Sequence, residues 1–217
     1  MAFRFKLTGM TPLLMCADDI ELSDMIKEWQ KNPANKNKSV PGDDRSPPWT
    51  WKTRIYSDGE HVVLPSDNVM AILRKAGADV HLKGQKTMKS ATQSDLFIPR
   101  DLVLLADGKR VKSSDIEAID GTFKEQCDQV KPLGFVLFMK RAKVGQSKHV
   151  RVRPRFDKWE TEWTEIQIIG DNPDIDGSVL EIILKLCGRI GACDWRPSAP
   201  KSPGPFGQFR AEVEEVK

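Results

Sequence analysis

The chain has 217 residues, 39% hydrophobic and 30% charged, enough for one large or two small domains with a sizeable buried core. Thirty-four Lys and Arg against 31 Asp and Glu leave +3, which excludes a strongly acidic or basic chain and moves the question to where charge collects. No apolar run approaches the roughly 20 residues that span a membrane, and the start, MAFRFKLTGMTPLLMC, does not read as a secretory signal. Cys16, Cys127, Cys187 and Cys193 match neither a CxxC pair nor a zinc knuckle, so four free thiols in a reducing cytoplasm are expected.

Residues 2–8, AFRFKLT, alternate apolar and basic side chains with period two and predict a half-buried strand, ended by Gly9 and Pro12. DIELSDMIKEWQ, 19–30, places Ile20, Met25, Ile26 and Trp29 on roughly one face of a polar helix. KNPANKNKSVPGDDRSPP has no period and reads as a long loop, a kind that is usually functional or disordered. LPSDNVMAILRKAGAD, 64–79, predicts a helix with Ser66 as N-cap and Val69, Ile72, Leu73 and Ala76 on its apolar face. Gly77 suits the left-handed residue past its end. Residues 80–130 read as an insertion of short elements, with a turn at Asp107-Gly108.

PLGFVLFMKRA, 132–142, predicts a buried strand ending in positive charge, and HVRVRPRF turns Val150 and Val152 inward and Arg151 and Arg153 outward. In WETEWTEIQII, Trp159 and Trp163 fall on the opposite parity from Ile166 and Ile168, which implies a bulge or a two-sided strand. Ser178 and Glu181 have capping-box spacing ahead of a helix with Val179, Ile182, Ile183, Leu186 and Ile190 at helical intervals. GQFRAEVEEV follows as a strand. The order strand, helix, strand, strand, helix, strand predicts an α+β fold with a ferredoxin-like βαββαβ core. It makes one domain over 1–217 with insertions at about 30–60 and 80–130.

Between the last helix and strand lies GRIGACDWRPSAPKSPGPFGQFR, 188–210, with Gly188, Gly191, Gly204 and Gly207 followed by Phe209. A glycine-rich loop in this place resembles the signature loop of the RAMP superfamily, which includes backbone and RNA-processing subunits of CRISPR effector complexes. TGMTPLLM and VLPSDNVMAILRKA are similar to the first strand–turn and first helix of that group. The DWRP…G-x-F ending also resembles one found in bacteriophage and prophage proteins. The likeness covers mostly 1–20, 62–78 and 132–217, and departs from the pattern at Ala192-Cys193 and Gln208, where glycine and a basic residue are usual. It implies self-association, because RAMP backbone subunits stack along their ligand, and a bacterial host cytoplasm as the location.

Charge collects in one place. Between Lys140 and Lys158 stand eight bases, among them Lys140, Arg141, Lys143, Lys148, Arg151, Arg153 and Arg155, with the single acid Asp157. Arginines at period two on a strand suit phosphates, whose contacts give a salt-dependent, sequence-tolerant affinity; the competing expectation is a solvated face paired with acids of 157–165. In the glycine loop, backbone N–H groups with Arg189 and Arg196 suit an anion, and Trp195 suits stacking on an unpaired base. Trp49 and Trp51 lie two apart and in a strand share one face, with Lys52 and Arg54 alternating beside them; this suits single-stranded nucleic acid and a protein contact alike, and Trp49, Trp51 and Arg54 are taken as an interface.

His61, His81 and His149 have no partner at motif spacing, and neither GxSxG nor HExxH occurs. Asp18 and Asp19 follow the first strand, where some RAMP relatives carry a metal-supporting aspartate. The reading is therefore a non-catalytic, phage-type protein that binds single-stranded RNA or DNA as a homo-oligomer, with no cofactor, metal or membrane. An interaction protein that interferes with a host defence complex or serves phage assembly is the alternative, and a metal-dependent ribonuclease the third.

Overall fold

The first strand finds its place because its apolar residues alternate. In the computed structural model, which describes residues 2–40, 42–81, 87–144, 146–170, 172, 174–201 and 203–216, strand β1 (Ala2–Gly9) buries Phe3, Phe5 and Leu7 and turns Arg4 and Lys6 outward. It lies between β11 (Phe209–Glu215) on one edge and β9 (Trp159–Thr161) with β10 (Thr164–Ile168) on the other, all antiparallel. Beyond β9 and β10 stand β5 (Leu102–Ala106) and β4 (Leu96–Phe97). Short β3 (Val63–Leu64) and β6 (Lys109–Arg110) pair with β5 and complete an eight-stranded sheet.

β9 and β10 resolve the tryptophan parity. Trp159 and Thr161 are buried in one, Thr164, Ile166 and Ile168 in the other, and Glu162–Trp163 between them carries the change of side. The register against β1 slips by one residue between Phe5↔Thr164 and Thr8↔Glu160, which is a bulge.

Helices α2 (Ser66–Gly77) and α6 (Gly177–Ile190) pack against one another, and α6 also packs against β11. α2 buries Val69, Ile72, Leu73 and Ala76, as its period requires. Its N-terminus is served from a distance: Asp101 Oδ1 accepts from both Ser66 N and Ser66 Oγ, so Ser66 is the first helical residue and not the cap. Gly77 is helical and sits where a side chain would strike Thr92 of α3 (Lys89–Ser94). α6 is capped by Asp176, which accepts from Val179 N at 2.8 Å, rather than by Ser178. Its inward face is Leu180, Ile183, Leu184 and Cys187, while Ile182 is 52% exposed.

Two expectations need correction. Residues 80–130 are not wholly an insertion, since β5 is an inner strand of the main sheet; α3, α4 (Ser113–Glu117) and α5 (Phe123–Gln129) add to it as short helices. Conversely, the long hairpin of β7 (Val136–Val144) and β8 (Ser147–Phe156) forms a separate three-stranded sheet with β2 (Leu13–Leu14). Leu13, Leu137, Val152 and Phe156 nevertheless belong to one buried cluster with the main sheet. Helix α1 (Ile20–Lys31) buries no residue, and the loop after it returns to the hairpin at residues 42–44.

Candidate nucleic-acid interface

The hairpin register sorts the basic residues onto two faces. Val136, Phe138 and Lys140 stand opposite Arg155, Arg153 and Arg151 on one face. Met139, Arg141 and Lys143 stand opposite Val152, Val150 and Lys148 on the other. Buried Leu137 and Val152 anchor that second face to the core near its base, and its far end is exposed at Met139, Arg141, Lys143 and Lys148.

The arginine face is covered. Asp44 N donates to Val150 O and Val150 N to Gly42 O, which lays the loop along β8. The Asp44 carboxylate, 7% exposed, then accepts from Arg151 Nη1 at 2.9 Å, Arg153 Nη1 at 3.3 Å and Val152 N at 3.1 Å. Arg153 Nε also donates to Asp194 at 3.1 Å, and Arg155 pairs with Asp157 at 2.8 Å while its guanidinium lies 5.4 Å over the Phe138 ring. The stripe is thus paired with acids, mostly from distant segments rather than from 157–165. Its guanidinium groups bind the two covering loops to the hairpin.

The glycine loop is held in the same way. Ala192 N donates to Gly207 O, Asp194 N to Leu14 O, Gly204 N to Arg196 O and Gly207 N to Pro12 O, so these N–H groups serve the loop's own fold. Gly207 has φ +75°, and a Cβ there would strike the Ala192 carbonyl; one at Gly188 would strike the Phe209 carbonyl. These glycines permit close backbone contact between helix end, loop and final strand. Trp195, half-buried, meets Phe138 edge-on at 6.2 Å and Phe206 at 6.4 Å, and Lys140 Nζ sits 4.5 Å over its ring. Arg196 Nη1 donates to Cys193 O at 2.6 Å and borders a small cleft with Ile72 and Lys75 of α2. Arg189 borders a groove between α6 and β11. Neither belongs to the hairpin group.

What comes together at the far end is Arg141, Lys143 and Lys148 on one face, while Lys140, on the other face, lies over Trp195. Lys143 stands directly opposite Lys148, with Arg141 on the same face, and none of these four makes an ion pair with an acid among the described residues. Like charges directly opposite on a hairpin repel. An anion laid across them removes that penalty.

The remaining expected site residues do other work. Trp51 is fully buried, donates Nε1 to Gln126 Oε1 at 2.7 Å and packs on Phe135, so it is a core residue and not a surface anchor. It lies in a 3₁₀ turn, Thr50–Arg54, instead of a strand. Trp49 is half-buried, and Arg54 Nη1 donates to Ala17 O at 3.1 Å with Asp18 at 3.6 Å. Asp19 caps α1 through Leu22 N. Among the described residues, no three His, Cys, Asp or Glu side chains converge as a metal-binding group. Asp44 and Asp194, which organise the hairpin, carry no local sequence signal; Phe138, alternating with Lys140, is the one partner the strand period points to. Burial pushes the Cys193 thiol up to about 12 and the Tyr56 phenol up to about 12.

No protein-family model matches this chain, and none of the curated proteins does. No described helix is long and apolar enough to cross a membrane.

Proposed function

We propose that the chain is a non-catalytic, phage-type protein of a bacterial host's cytoplasm that binds single-stranded nucleic acid at the end of the β7–β8 hairpin and self-associates. The observation that carries this reading is the Lys143–Lys148 cross-strand couple with Arg141 on its face, three exposed cations set against one another without an acid. Phosphates satisfy all three at once, and the gain depends on salt rather than on base sequence. On the opposite face of the hairpin Trp195 offers a second contact, a ring with Lys140 resting on it as a displaceable lid.

The core is read as ferredoxin-like and RAMP-like. Support comes from the sequence of elements β1, α2, β5, β9/β10, α6, β11 and the neighbour order β11–β1–β9/β10–β5. The test is a fluorescence-anisotropy titration of labelled single-stranded DNA and RNA across a salt series, with a duplex as comparison. Tight, salt-dependent binding of a single strand is expected; no binding at low salt removes the reading. The interaction-protein reading is favoured by α1, which exposes Ile20 at 74% and Met25 at 53%, and it gains if the titration is flat.

A further inference from the structure

β11 is an edge strand. Val216 N donates to Ala2 O and Met10 N to Gln208 O, so the even-numbered residues of β11 make the ladder with β1. By the alternation of an antiparallel ladder, the N–H and C=O groups of Ala211, Val213 and Glu215 point the other way. No strand stands there among the described residues. A groove of about 740 Å³ runs beside this edge, bordered by Glu181, Lys185 and Arg189 of α6. An unpaired edge is a template for another strand. Its start is closed, because α6 approaches the Phe209 carbonyl so tightly that only glycine fits at 188. The usable edge is therefore Ala211 to Glu215.

We infer that this edge pairs with the same edge of a second copy, antiparallel about a two-fold axis, with Glu212 opposite Glu212 of the second copy. The strand is self-complementary in that register. Arg210 of each copy faces Glu214 of the other on the charged side of the sheet, and Ala211 faces Val213 across hydrogen-bonded pairs on the helix side. The central Glu212 couple is tempered because each carboxylate has Lys6 Nζ at 3.6 Å on its own copy. The neighbouring registers are worse. Val213 opposite itself sets Glu212 against Glu214, and Ala211 opposite itself carries the second strand from Val213 onward over the closed end at Phe209, which the Glu212 register reaches only with Glu215. An isologous contact of this kind closes as a dimer.

This gives a surface to the self-association proposed above, and it is tested without oligonucleotide, so its failure and that of the nucleic-acid reading are separate results. Sedimentation velocity of the full chain over a wide concentration range is expected to show a dimer. Val213→Pro removes an outward N–H and no bond to β1, a place where an edge strand tolerates proline; it is expected to leave monomer with an unchanged circular dichroism spectrum. Glu212→Cys is expected to form an intermolecular disulfide on mild oxidation, which Arg210→Cys and the natural sequence do not. A monomer at every concentration, which leaves the edge to a foreign strand, overturns the inference. So does a dimer that Val213→Pro leaves intact. Should Val213→Pro fail to fold, absence of the Glu212→Cys cross-link overturns it instead.

Discussion

Replacing Asp44 by Ala tests whether the arginine stripe is internal structure. The carboxylate is 7% exposed and accepts from Arg151, Arg153 and the Val152 N–H. Truncation leaves that buried N–H without an acceptor, at a cost of about 1–3 kcal/mol. It also leaves Arg153, 11% exposed, with Asp194 as its one acid beside the Val152 carbonyl. Breaking a buried pair by removing one partner costs about 3–5 kcal/mol. Arg151 is 27% exposed and recovers water, and Asp194 still holds Arg153, so the two costs do not add in full. A loss of about 3–4 kcal/mol is expected, read by urea unfolding with an unchanged slope. Asp24→Ala, in the exposed pair with Lys27, serves as the control and is expected to leave stability nearly unchanged. A loss below about 1 kcal/mol for Asp44→Ala refutes the reasoning and returns Arg151 and Arg153 to the ligand-facing surface.

Three further outcomes are expected. Tyr56 is the chain's only tyrosine. Absorbance at alkaline pH should show its phenolate forming near about 12 in the folded chain, against about 10 in urea. Because burial raises the folded value, the stability it contributes is complete below pH 10 and is lost as pH rises toward 12; a folded-state midpoint at 10 contradicts this. Gly207→Ala, at positive φ against the Ala192 carbonyl, should lower stability by about 3 kcal/mol, and a near-silent thermal melt would show the loop able to yield. With a thiol-specific reagent at mildly alkaline pH, buried Cys187 and Cys193 should stay unmodified until unfolding, while half-buried Cys16 and Cys127 react slowly; rapid labelling of all four thiols counts against the packing of the loop.

Local period and punctuation made much of the frame legible. β1, α2 and α6 were readable because one face of each is buried, and β11 because Phe209, Ala211 and Val213 alternate with charged residues; the tryptophan parity implied a bulge or a two-sided strand, and a bulge at Glu162–Trp163 is what stands there. LVLLA was harder to place, because its partners are remote: Leu104 pairs with Thr161, and nothing near Leu104 announces it. The stronger strand signal of residues 132–156 took that place in the expected order, although these residues form their own sheet. The same limit governs the site. Alternation of Arg151, Arg153 and Arg155 was plain, but the acids that engage two of them stand 107 and 41 residues away, at Asp44 and Asp194. Charge on a strand can be read locally; its neutralisation depends on the fold.

The most direct test of nucleic-acid binding at the hairpin end is the salt slope of a triple variant. Arg141→Ala, Lys143→Ala and Lys148→Ala together remove the three cations of one face, none of them in an ion pair among the described residues. At roughly 0.7 per phosphate contact on a single strand, the log–log slope of affinity against salt should flatten by about 2. Unfolding should be unchanged or slightly more favourable to the native state, since a repulsive couple is lost. An unchanged slope in a variant that folds normally would contradict the account.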